Sequence, residues 1–295
     1  MIRPVLKDDA FLADVRTANN DNDDFRLWWL GQSGFLVQWK RSHLLLDPYL
    51  SDSLTKKYAA TDKPHVRMTE LIVDPSRLDF IDVVTSSHNH TDHLDGETLG
   101  PLLKANPRIA MVAPAANRDF IANRLGVDPS FPLGLRDGES AEVGPFRFTA
   151  VPAAHDELTP EYVGYVVQFG RWRIYHSGDT LLYQGMADRL RPFNIDVALL
   201  PINGRAPERR VAGNLNGREA ARLAKSMGAQ LVIPCHYEMF AFNTADPAEF
   251  IKASNAIAQA YQVLRCGERW ESTAVPRRSE RRDWPEGVAW RNLQH

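Results

Sequence analysis

Four short runs of strand-forming residues in this chain each end on a side chain able to bind a metal, and that recurrence restricts the fold more than any other feature. IDVVTSS, residues 81–87, is β-branched, reads as a buried strand, and runs straight into His88-Asn89-His90-Thr91-Asp92-His93. FRFTAVPAAHDE places His155 just past a strand predicted at 146–152. WRIYHSGDT places Asp179 behind Gly178 at the end of a strand from Trp172, and QLVIPCHYE places His236 directly after the run 231–235. Neutral imidazole and carboxylate suit zinc, manganese or iron, and ligands on strand ends are positioned by rigid scaffold. The ligand segments span residues 88 to 236, which points to one site and hence one domain.

Taken alone, His155 or His236 reads as an ordinary hydrogen-bonded histidine, and Asp179 as the cap of the turn that Gly178 permits. Together with the His88–His93 cluster they supply the side chains that two metals need, including a carboxylate to bridge them. Strands are predicted at 26–30, 34–39, 43–47, 81–86, 109–113, 146–152, 163–169, 172–177, 196–200 and 231–235. A short helix is predicted over ETLGPLLKAN. Asn216 with Glu219 three residues on forms a capping-box pattern, Gly228 closes that helix, and Asp246-Pro247 opens another.

His88, His90, Asp92, His93, His155, Asp179 and His236, in this order, resemble the ligands of the metallo-β-lactamase-fold hydrolases. Asp47, ending the strand in HLLLDPYL, matches an earlier family element, and the resemblance runs from about Phe25 to Phe242. It implies an α/β fold, a four-layer αββα sandwich, holding two divalent metal ions (Zn or Mn, with Fe also fitting). His88, His90 and His155 would bind one ion, Asp92, His93 and His236 the other, and Asp179 both. Asp47 would hydrogen-bond to the motif from outside, though an Asp before Pro48 also reads as a turn cap. His176 would be a further outer residue or a hydrogen-bonded core histidine.

YHSGDTLLYQGMADRL, IDVALLPINGR and VIPCHYEMF are similar to bacterial ascorbate-6-phosphate lactonases, which implies a lactonase-like hydrolase acting on a small, possibly phosphorylated sugar lactone. SHNHTDHLD followed by GDT also resembles the N-acyl-phosphatidylethanolamine phospholipase D branch, which cleaves a phosphodiester; Asn214 stands where that branch tends to carry a histidine. An iron-dependent oxidoreductase on the same fold is the alternative from another class. The implied chemistry is attack by a water that two cations acidify, with Asp92 and Asp179 as the catalytic carboxylates and Asp92 able to accept a proton. Asn203, Arg205 and Tyr237 are the expected substrate contacts, although Asn203-Gly204 also reads as a turn and Arg205 as a solvated cation.

A net charge of −2 gives no reason to expect a nucleic-acid partner; the expected partner is a small-molecule substrate, and a homo-oligomer stays open. Two cysteines, no apolar run of membrane-spanning length and the acids of MIRPVLKDD point to the cytoplasm. Trp28, Trp29, Trp39 and Cys235 read as packing residues. The single domain is expected over 1–270, with 271–295 as a C-terminal tail whose arginines at 276–284 are solvated.

Overall fold

The computed structural model describes residues 1–18 and 22–275. The first sheet is built from β1 (Phe25–Gly31), β2 (Gly34–Trp39), β3 (Ser42–Leu46), β4 (Val83–Thr85), β5 (Ala110–Pro114) and β6 (Pro132–Leu135). The second holds β7 (Ser140–Val143), β8 (Phe146–Ala154), β9 (Leu158–Phe169), β10 (Trp172–His176), β11 (Val197–Pro201) and β12 (Leu231–Cys235). β13 (Arg269–Glu271) returns to the first sheet beside β1, giving the orders β13-β1-β2-β3-β4-β5-β6 and β12-β11-β10-β9-β8-β7.

Every residue of β1 is buried, which requires cover on both faces, because successive side chains point in opposite directions. Phe25 faces the second sheet, meeting Phe169 and Trp172 edge-on. Trp28, of opposite parity, donates from Nε1 to Asp14 on helix α1 (Asp8–Thr17). β2 repeats the pattern: Phe35 packs on His176 and Trp39 on Phe169, while Gln38 donates to the Val15 carbonyl of α1. The two sheets therefore face each other, with a helix behind the first.

Behind the second, α6 (Gly217–Met227) packs on β11 and β12 through a face that includes Ala220, Ala221, Leu223, Ala224 and Met227. The α/β sandwich expected from the sequence is the fold observed. The Asn216/Glu219 capping box forms as the sequence spacing predicts, and Gly228 ends α6 at φ 75°. Remaining helices are α2 (Ser53–Tyr58), α3 (Gly96–Ala105), α4 (Arg118–Leu125), α5 (Met186–Leu190) and α7 (Ala248–Ala256). Among the described residues no helix is long and apolar enough to cross a membrane.

The ten predicted strands form within one or two residues of their expected ends, except that β9 starts at Leu158 rather than at 163. Three strands carry no strong sequence signal: β6 contains proline and glycine, β7 (SAEV) is a polar edge, and β13 has three residues. The boundary placed at residue 270 falls inside β13, whose Glu271 pairs with Arg26. Ser272 also accepts the Phe25 amide through its hydroxyl, so residues up to 275 belong with the sheet. The arginines at 276–284 lie outside the described residues.

Candidate metal centre

Parallel pairing decides where the ligands meet. β3 and β4 run parallel, as do β10, β11 and β12, and β8 runs with β10 because both are antiparallel to β9. The C-terminal ends of β3, β4, β8, β10 and β12 thus deliver Asp47, His88, His155, Asp179 and His236 to the same edge. Between β4 and α3 the chain turns tightly, with His93 and Leu94 amides donating to the His90 carbonyl. Arg124 of α4 secures that turn by donating to the Asn89 and Leu94 carbonyls at 2.8 and 2.9 Å.

The seven sequence-predicted ligands come together in two groups, His88/His90/His155 and Asp92/His93/Asp179/His236, each offering ligand atoms within 4.8 Å of one another. His155 Nε2 lies 3.1 Å from His90 Nδ1. Asp179 reaches both groups: its Oδ2 is 3.1 Å from His236 Nε2 and 3.7 Å from His155 Nε2, and its Oδ1 is 3.3 Å from His93 Nε2. Gly178 allows this approach, since at φ 58° a Cβ there would stand 2.5 Å from Ser87.

Hydrogen bonds on the far side of the rings set the tautomers. His93 Nδ1 donates to Asp47 Oδ2 at 2.8 Å and His155 Nδ1 to the Gly213 carbonyl at 3.0 Å, so each presents Nε2 to the cleft. Asp47 is itself held by Thr85 Oγ1 at 2.8 Å and the Ser87 amide at 3.1 Å. His88 Nε2 and His93 Nε2 are buried without a hydrogen-bond partner. Buried polar nitrogens left in that state are costly, and both are aimed where a cation would satisfy them; the donor set fits a metal on that ground.

Electrostatics agree. Burial alone would raise the carboxyl pKa of Asp179, but His236 and His93 outweigh it and hold it well below the ordinary value. Burial likewise opposes ionisation of Asp92, and His93 and His236 overcome it. His88 and His155 are kept neutral, first by burial and then by neighbouring histidines. Three non-glycine residues at this edge, Gln32, Asp47 and His236, hold left-handed φ values of 51°, 39° and 63°, each a strained geometry of the kind that concentrates at functional sites.

Asp47→Asn replaces the acceptor that orients His93, with little change in volume. Metal affinity or activity should fall about 10- to 100-fold, measured by competition against a chelator. Unchanged affinity would mean that the turn alone orients His93.

Three expected substrate contacts do not face the cleft. Tyr237 is buried, its hydroxyl donating to the Leu264 carbonyl and its ring packed 4.3 Å from Trp29; it points into the core behind His236. Arg205 is engaged by a two-pronged ion pair with Glu219, at 2.8 and 2.9 Å. Asn203 is 3 % exposed and joins Asn214 to Asn243, so that only Asn243 of the three lines the cavity. His176 reaches no ligand directly: its Nε2 donates to the Ser33 carbonyl at 2.9 Å, and the Ser33 hydroxyl lies 3.3 Å from Asp179.

The cavity over the ligands is about 400 Å³. Sequence reasoning missed several of its residues. Gln32, in the turn after β1, donates from Nε2 to Asp92 at 2.7 Å. Across the cavity stand Lys57, Tyr58, His65, Arg210, Phe240 and Phe242. Gln32 follows a predicted strand as the ligands do, and that was its one available signal; Phe240 ends the VIPCHYEMF run, and the others lie on segments without a motif.

The Beta-lactamase superfamily domain matches residues 43–237. A "UPF0173 metal-dependent hydrolase" of Caldivirga maquilingensis is 31% identical over 243 residues, covering 80% of this chain and 92% of the relative. Among solved structures, Igni18, a metallo hydrolase from Ignicoccus hospitalis, superposes with a TM-score of 0.62 at 22% identity, over 84% of this chain and 98% of that one. CmlA, a diiron β-hydroxylase from Streptomyces venezuelae, gives a TM-score of 0.61 at 16% identity over 85% of this chain and 54% of its own. At such identities the two structures speak to the fold alone, and the sequence relative's name gives a reaction class without a substrate. By the family match and the Caldivirga relative, the chain belongs to the metallo-β-lactamase superfamily and is a metal-dependent hydrolase.

Proposed function

We propose that this hydrolase works with two divalent cations, zinc or manganese with iron also fitting, and that it opens a small, negatively charged lactone. His88, His90 and His155 would hold one ion, and Asp92, His93 and His236 the other. The observation that carries the two-cation reading is Asp179, whose Oδ2 lies within 3.7 Å of a ligand nitrogen from each group. Cations there supply Lewis acidity, lowering the pKa of water and drawing charge from the substrate oxygen.

The chain's own residues supply the rest. Asp92, held ionised beside the cavity, takes the proton as water adds and returns it to the leaving oxygen. A volume of about 400 Å³ suits a small molecule. Lys57 on its wall favours an anionic substituent such as phosphate, Arg210 being paired with Asp62 at 2.6 Å, and Tyr58, Phe240 and Phe242 offer apolar faces to a ring. The same two cations would serve a phosphodiester, which is the second reading.

The test is a screen of the metal-reconstituted protein against phosphorylated and unphosphorylated sugar lactones, phosphodiesters and β-lactams. Lactone turnover favoured by the phosphate, and weakened in Lys57→Ala, is the expected result. Turnover confined to phosphodiesters overturns the lactone reading and leaves the metal centre standing.

A further inference from the structure

Gln32 occupies the turn between β1 and β2, is 1 % exposed, and lies against the second group of ligands. Its Nε2 is 2.7 Å from Asp92 Oδ2 and 3.0 Å from His236 Nε2, while those two atoms are 3.6 Å from each other. The amide terminus therefore sits between two atoms that the two-cation reading gives to a metal. Its Oε1 is buried and has no partner. The backbone is anchored independently, the Gln32 carbonyl accepting from the His236 amide at 2.9 Å and from Trp29 Nε1 at 3.0 Å.

An amide N–H that points at His236 Nε2 suits neither state of the ring: it uses the lone pair a cation needs, and it meets a second N–H when the ring carries a proton. A half-turn of the amide exchanges nitrogen for oxygen without moving the backbone, and such assignments follow whatever the surrounding network demands. The exchange leaves one amide atom unpartnered, as now, and brings a carbonyl oxygen to the place the nitrogen holds. Spacing supports that outcome: ligand atoms about 2.1 Å from a metal are about 3.0 Å apart on an octahedral edge and about 3.4 Å apart on a tetrahedral one. The 2.7 and 3.0 Å from the amide terminus lie near the octahedral edge and also within hydrogen-bond range, while the 3.6 Å between Asp92 and His236 lies nearer the tetrahedral one.

We infer that Gln32 Oε1 is a further ligand at the Asp92/His93/Asp179/His236 site, an inference that rests on the two-cation reading. It raises the number of donors at that site and adds a hard oxygen, which favours manganese over zinc there.

The test uses the full chain, stripped with a chelator and titrated with Co²⁺ and Mn²⁺. Wild type should bind two ions. Gln32→Leu should keep one at wild-type affinity and hold the other about 10- to 100-fold more weakly, with stronger visible Co²⁺ bands as the coordination number falls. Gln32→Asn, one methylene shorter and still polar, should do the same and decides the matter if the leucine variant fails to fold. Wild-type affinities and an unchanged Co²⁺ spectrum in the folded variant overturn the inference alone. A wild type that binds a single ion overturns the two-cation reading and the inference with it.

Discussion

Asp179→Ala should lose both cations, and kcat/KM should fall about a thousandfold or more, because the side chain faces both ligand groups. Several kcal/mol of charge stabilisation depend on the cations, and each ~1.4 kcal/mol is a factor of ten in rate. The cation-free variant should also be less stable, since His93 and His236 lose their largest attractive partner inside a buried cluster. Elemental analysis, steady-state kinetics and circular dichroism on the same preparation separate these effects. Full metal content and activity would reduce Asp179 to a turn residue.

The second large effect concerns protons. In the cation-free protein, burial disfavours charge on His93 and His236, but Asp179 and Asp92 outweigh it, raising His93 well above its ordinary pKa and pushing His236 up to about 9. Both imidazoles therefore carry a proton at neutral pH that an incoming cation must displace. His88 and His155, shifted the other way, have none to give.

The sign follows directly. Groups whose pKa is raised compete with metal below that pKa, so apparent affinity rises with pH, about tenfold per unit for each displaced proton and about a hundredfold for two. The rise should slacken as pH passes about 9 and His236 loses its proton. Calorimetric titration with Mn²⁺ in buffers of different ionisation enthalpy counts the protons released. Release of none between pH 6 and 7.5 would show that both rings are already neutral, contrary to the environment described.

The strands nearest the site were legible because their signal is local. Each run of alternating or continuous apolar residues carries its own evidence of burial, and a His or Asp at its end marks a position irrespective of what lies across the fold. Asp47 could be read either as a turn cap or as a partner of the motif; its 2.8 Å contact with His93 decides for the latter. That contact joins residues 46 positions apart, and no local pattern encodes it.

The cavity wall was not legible for the same reason. Arg205 has the chemistry of an anion-binding residue, yet the Glu219 that caps α6 also captures its guanidinium. Tyr237 adjoins a ligand in sequence, but at φ 63° His236 turns the chain so that the tyrosine ring meets Trp29. Lys57, Arg210 and Phe242 come from separate segments that only folding brings to one wall.

By itself, then, the sequence determined the kinds of donor and the strand ends that carry them, because ligand chemistry and strand periodicity are properties of a few neighbouring residues. Tertiary structure alone decided which donors gather into each group, which amide and carboxylate hydrogen-bond to them, and which side chains line the cavity above. Those depend on how parallel strands align and how two sheets pack, where distances of 3 Å are set between residues far apart in the chain.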